Sequence, residues 1–279
     1  MSAPALPVGL PPRRPALAEL LSDSLVIARR SLAHIRQIPE KLLDVTAQPL
    51  MFVLLFAFVF GNVIAIPHGS YRSYLIGGIL VQTLGFGIFG PATSMATDLR
   101  EGILDRFRSL PMHRWAFLLG HLIAEFGASL LAIAVMVVSG LIVGWRVQGD
   151  VPHAIAAFAL LALLAVTMLW VGTLLGVLAR SPDVVTGIGF MTIFPLTFVA
   201  TTFVPAAGLP DGLRQFAEYN PFSVWAAAVR RLFGNPTATP AHAAWPLEHA
   251  VLAAVLWCVA LMALVAPATL AAFRRRTTG

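Results

Sequence analysis

His121 and Glu125 lie four residues apart, so on a helix their side chains stand one above the other. An imidazole over a carboxylate can hold a metal ion or relay a proton. In an apolar segment the same pair has a plainer use. Turned toward neighbouring helices or lipid head groups, it spares the carboxylate an uncompensated cost of roughly 3 kcal/mol, and that is the reading adopted for it. Other candidates for chemistry are sparse. Cys258 is alone, so neither an internal disulfide nor a paired-cysteine metal knuckle can form. The seven histidines contain no HExxH pair, and no GxSxG nucleophile turn occurs. The only lysine, Lys41, follows Glu40, whereas a phosphate-binding loop needs Gly-Lys followed by Ser or Thr. No catalytic residue, metal site or cofactor is expected in this chain, which reads as a non-enzyme.

The segments around that pair are built for lipid. Of the 279 residues, 58% are hydrophobic and only 11% charged, against roughly 25% charged in an ordinary soluble domain. The mean hydropathy is +0.82. So few charges cannot cover a soluble protein of this size, which makes the class an integral membrane protein. A crossing helix needs about 20 mainly apolar residues. Six runs qualify: Ala47 to Ile66, Leu75 to Ala96, Trp115 to Val143, Ile155 to Leu178, Val184 to Val204 and Leu247 to Phe273. The third and last are long enough to tilt or project. Continuous runs, without alternation, exclude a β-barrel.

Arginine sets the orientation. With the N-terminus cytoplasmic, 14 of the 19 Lys and Arg residues fall inside, among them Arg100, Arg106, Arg108, Arg114 and Arg274 to Arg276. Only Arg72, Arg146, Arg214, Arg230 and Arg231 fall outside. That bias puts both termini in the cytoplasm. The sequence pI near 10.6 then reflects topology and contact with anionic lipid. Basic residues spread over loops on two sides do not suit nucleic acid. Arginine in place of lysine, with abundant alanine, fits a bacterial chain in the plasma (inner) membrane.

Residues 1–16 are rich in proline and read as a disordered tail. Residues 17–40 carry Leu17, Leu20, Leu21, Leu25, Leu32 and Ile35 near helical spacing, with Arg29, Arg30 and Arg36 largely between them. This suits an amphipathic helix lying at the interface, ended by Pro39. Residues 41–279 form the six-span domain.

Two regions of that domain are not spans. "DLREGILDRFRSLPMHR" carries six charges between Asp98 and Arg108. Burying them would cost on the order of 18 kcal/mol, while its apolar residues would return only about 2 kcal/mol. The segment therefore lies outside the hydrocarbon. Leu99, Ile103, Leu104, Phe107 and Leu110 nevertheless fall on one helical face, Asp98 can cap the start, and Pro111 limits the end. The pattern predicts a short charged helix over residues 98–112, with an apolar stripe that rests on the membrane domain or docks into a partner. The second region, residues 205–234, contains two apolar helical stretches, Pro210 to Tyr219 and Pro221 to Phe233, each too short to cross. Asn220-Pro221 is a good N-cap and first-turn pair. A hairpin dipping into the outer leaflet accounts for it, with Asp211, Arg214, Arg230 and Arg231 near water.

"LREGILDRFRSLPMHRWAFLLGHLIAE" resembles the cytoplasmic coupling segment of ABC-2 type transporter permeases, most closely the daunorubicin-resistance-like drug export permeases. "FVPAAGLPDGLRQFAEYNPFSVWAAAVR" is similar to the outer re-entrant hairpin of the same family, with Pro205, Asn220 and Pro221 at its turning points. The order of spans and the amphipathic N-terminal helix agree. The resemblance implies an all-α membrane protein of the type V exporter kind: six transmembrane helices, an interfacial helix, a coupling helix and a re-entrant hairpin. It implies a half-transporter that pairs with a second copy or a paralogue and engages two ABC ATPase subunits. ATP and Mg would be bound by those subunits, since this chain has no phosphate loop. Coupling is then expected at Leu99, Arg100, Glu101, Gly102, Leu104, Asp105, Arg108 and Pro111.

In that family the second and fifth spans line the cavity between subunits. Here the fifth offers Phe190, Phe194, Thr197, Phe198 and Thr201 on one helical face, and the second offers Gln82, Thr83, Phe86 and Phe89. Aromatics with a few hydroxyls and one amide suit an amphipathic, largely apolar cargo such as a drug, lipid or secondary metabolite. The competing reading has the phenylalanines facing lipid and the nearby glycines serving close helix packing. Export of a polysaccharide or lipid-linked glycan is the nearest alternative function. An ion-coupled transporter fits less well, because few ionisable groups lie at membrane depth.

Overall fold

A computed structural model describes residues 39–61, 63–67, 69–103, 115–240 and 242–278. The expected N-terminal tail, most of the interfacial helix (17–38), and residues 104–112 of the charged helix lie outside these. The described chain is helical and without strands: α1 (Pro39–Val59), α2 (Tyr71–Phe86), α3 (Phe89–Arg100), α4 (Ala116–Val143), α5 (Val151–Leu178), α6 (Pro182–Phe198), α7 (Asp211–Tyr219), α8 (Pro221–Leu232), α9 (Trp245–Glu248) and α10 (Ala250–Thr278), with a 3₁₀ turn at Ala206–Gly208.

Local chemistry fixes the helix ends. The Ser70 hydroxyl accepts from the Ser73 amide at the start of α2. Asp150 accepts from the His153 amide at the start of α5, where Pro152 occupies the first turn. The His153 ring beside Asp150 also holds its carboxyl below the usual carboxylate range. Gly144 ends α4 at φ +99°, a left-handed cap that glycine adopts freely.

Among the described residues, four stretches are long and apolar enough to cross a membrane: Tyr71–Arg100, Ala116–Val143, Val151–Leu178 and Ala250–Arg276. The first and fifth expected spans end earlier than the sequence predicts. α1 stops at Val59, and α6 stops at Phe198, 17 residues or about 25 Å long. The hydropathy of residues 199–204 extends that run, but their backbone turns back and is held by α8, as described below.

The second expected span is two stacked helices. Pro91 has no amide to give the Gly87 carbonyl, and its ring crowds that carbonyl. The ladder breaks there, and Gly87 bonds back to Thr83 at 2.9 Å. The lower piece, α3, runs on to Arg100. Asp98 therefore lies inside a helix and does not cap a new one, correcting the expected start at 98. The chain turns at Glu101 and Gly102, the latter at φ +65°. Leu99 and Ile103 rest on Met95, Phe117, Leu118, Val177 and Phe273, so the visible part of the apolar stripe is covered by the protein's own base.

Packing is close. α5 lies against α3 and α10, and Gly172 and Gly176, one turn apart, make the first contact possible. A Cβ on either would come within 2.4 Å of the Ile88 or Ala92 carbonyl oxygen, the small-residue contact that joins helices in lipid. α8 sits at the centre of the large core, packed on α2, α5 and α10. Its Trp225 donates to the Ala254 carbonyl at 3.1 Å. The segment between α4 and α5 docks on the end of α8 through Trp145 to Asn235 at 2.7 Å and the amides of Gln148 and Gly149 to the Phe233 carbonyl.

Candidate functional site

Phe190, Phe194 and Phe198 recur at i, i+4 and i+8 on α6, and their rings stand one above the other, with the last pair stacked at 4.1 Å between centroids. Toward one end Phe190 meets Phe89 at 5.3 Å and Phe86 at 6.0 Å. Phe89 can come so close because it rests on Gly189. Toward the other end Phe198 meets Phe203 at 5.3 Å, and Phe203 stacks on Phe56 of α1 at 4.1 Å. Phe52 and Phe60 extend the row along α1. The result is an unbroken aromatic track across three parts of the chain. Phe190, Phe194 and Phe198 are 47%, 43% and 36% exposed, so the α6 part of the row is a surface of this chain, while Phe203 is buried in the core and Phe52, Phe56, Phe60, Phe86 and Phe89 pack partly buried against it.

The polar members of the expected path stand elsewhere. Thr197 is fully buried and its hydroxyl donates to the Ile193 carbonyl at 2.9 Å. Thr201 is buried in the turn beyond the helix. These two do not share the phenylalanine face as the spacing predicts: they point inward. Thr83 is half-buried beside the row. Gln82 is buried, and neither its amide nitrogen nor its oxygen has a partner among the described residues. Phe52, Phe56 and Phe60 were legible as another i, i+4, i+8 set but were not assigned to the path. Phe203 carried no such signal, because only the turn brings it there.

The turn at 199–203 is held by side chains. Helix ends leave backbone carbonyls without helical partners. The Asn220 amide donates to the Leu196 carbonyl at 2.7 Å while its oxygen caps α8 through the Phe222 amide. The Tyr74 hydroxyl donates to the Thr201 carbonyl at 2.6 Å, Tyr71 donates to Phe203, and the Thr201 amide donates to the Ser223 hydroxyl. Arg230 adds three bonds described below and has no exposed surface, correcting the expectation that it stays near water. Asp211, Arg214 and Arg231 are exposed as expected, with Arg214 between Asp211 and Glu218. Glu218 in turn accepts from the Ala244 amide, tying α7 to the segment before α9.

His121 and Glu125 both face α3: the His121 ring lies 3.3 Å from the Pro91 carbonyl, and the Glu125 carboxylate lies beside Gly90. Among the described residues no three metal-binding side chains gather.

Among the described residues the chain is all-helical, with four stretches apolar and long enough to cross a membrane, an aromatic row partly at its surface and a short helical hairpin, which is the form of an integral membrane protein. The ABC-2 type transporter family profile matches residues 23–233, and the chain belongs to that family. It is 31% identical over 219 residues to the daunorubicin resistance ABC transporter permease protein DrrB1 of Streptomyces coeruleorubidus, covering 78% of this chain and 77% of the relative. It is 24% identical to the probable doxorubicin resistance ABC transporter permease protein DrrC of Mycobacterium tuberculosis, over 84% and 85% of the two chains. A putative transport permease, ycf38, of Cyanophora paradoxa is 22% identical over 77% and 75%.

Proposed function

We propose that this chain is the membrane-spanning subunit of an ATP-driven exporter that carries an amphipathic, largely apolar compound out across the plasma membrane. The observation that carries this reading is the phenylalanine row, half-exposed along α6, in a chain of the ABC-2 family. Flat apolar cargo can slide along such a row, exchanging one ring contact for the next. The drug-resistance names of the relatives favour a planar aromatic cargo over a glycan. α1 and α6 complete six crossings, with both termini cytoplasmic and the α7–α8 hairpin in the outer leaflet. Two copies, or one copy and a paralogue, face each other across the row. Two ATPase subunits engage the base at Leu99 to Pro111, where Arg100 and Glu101 are exposed and Leu99 is anchored. The charges there select register more than affinity.

Inverted membrane vesicles containing this chain with its ATPase subunit test the reading. They should accumulate daunorubicin when ATP is added, and vesicles lacking the ATPase subunit should not. Accumulation driven by a proton gradient without ATP would overturn it in favour of an ion-coupled carrier.

A further inference from the structure

Arg230 is fully buried, yet its three hydrogen bonds all go to backbone carbonyls. Nε donates to Tyr74 at 2.7 Å, Nη1 to Thr201 at 2.9 Å and Nη2 to Thr202 at 2.9 Å. The guanidinium carbon lies 3.5 Å from the Tyr74 ring centroid. A buried cation normally needs a carboxylate. Here the compensation is three backbone carbonyls, one in α2 and two in the turn just beyond α6, together with the face of an aromatic ring. The space is built for it. A Cβ at Gly77 would lie 2.7 Å from Arg230 Cγ, and one at Gly78 would lie 2.6 Å from Nη2 and 2.2 Å from the Thr202 oxygen. Lysine, a point charge on a flexible stem, cannot lie flat on the ring and reach three carbonyls in a fork.

The two carbonyls gripped on the α6 side belong to the turn between Phe198 and Phe203. That turn carries the phenylalanine row from α6 to α1. We propose that Arg230 is a positioning residue for transport: it ties the outer end of the phenylalanine row to the hairpin helix α8, so that the two move as one body. This rests on the reading of the row as the cargo path. Asn220 and Ser223, also from α8 and its cap, grip the same stretch and strengthen the tie.

The experiment uses the full chain with its ATPase subunit in lipid, on a Cys258→Ser background. Spin labels at Val63→Cys, past the end of α1, and Val204→Cys, beside Phe203, report the turn against α1; both positions are exposed. Daunorubicin is the transport probe. Arg230→Lys should assemble, broaden the distance distribution between the labels, and raise KM by about fivefold or more, with kcat within about twofold of wild type. Tyr74→Phe, which keeps the ring and loses only the bond to Thr201, should move both readouts less and in the same direction. A distribution as narrow as wild type in Arg230→Lys would overturn the proposal. A broadened distribution with unchanged KM would leave the tie standing and overturn the path reading instead. If Arg230→Lys does not assemble, Tyr74→Phe and Ser223→Ala decide: wild-type widths in both overturn the proposal.

Discussion

The residue that most separates sequence from structure is Arg230. Hydropathy places a charge near water, and the arginine bias counts it among the outside residues. Its cradle is made by Tyr74, 156 positions away, and by a turn 28 and 29 positions away, so no local pattern announces it. Gly78 did show as a small residue, but its reason, the Thr202 carbonyl, is also remote in sequence. Gly78→Ala should cost about 1 to 3 kcal/mol, because the colliding atom is backbone and cannot swing aside; the melting temperature in detergent measures it. Gln82 gives a prediction of opposite sign. Its buried amide lacks a partner among the described residues, so Gln82→Met, of similar shape, should raise stability by about 1 to 3 kcal/mol. A fall in melting temperature would mean that the amide is paired in the working protein.

At the scale of elements, the strong patterns were legible. Among the described residues four long apolar stretches, the first of them divided into α2 and α3, stand where runs of hydropathy put them, and the hairpin helices begin and end within a residue of the expected bounds. The helix break at Asn220 was readable because Asn-Pro caps and starts a helix by local chemistry alone. The joint at Gly87 and the early end of α6 were not read, because hydropathy continues through both while the backbone does not. Asn220 now has two duties, capping α8 and binding the Leu196 carbonyl. Asn220→Leu with Pro221→Ala should therefore lower export while the protein still assembles; unchanged export would contradict a hairpin that depends on its break. At the base, Glu101→Arg or Leu104→Asp should leave insertion intact and abolish stimulation of ATPase activity by cargo. Full cargo-stimulated hydrolysis in both would reduce this segment to a solvated loop.

For the whole molecule, the arrangement joins the turn at Glu101 and Gly102, proposed to meet an ATPase, an aromatic row, and the α7–α8 hairpin bonded to the turn at the end of that row. The topology behind it predicts that, with Cys258 replaced by Ser, an impermeant thiol reagent applied outside labels a cysteine at position 237 and not one at 277. The row of rings on α6 was legible from helical spacing. Its extension onto α1 depended on a turn that spacing cannot show. The most direct measurement is ATP-dependent daunorubicin transport in proteoliposomes, comparing Phe194→Ala with Phe198→Ala in one chain against Met191→Ala. Met191 is 84% exposed on the same helix and outside the row. Losing two ring contacts of about 0.5 to 1.5 kcal/mol each should lower transport at limiting cargo about tenfold, while Met191→Ala stays within about twofold of wild type. Equal transport by the double mutant and wild type would contradict the account.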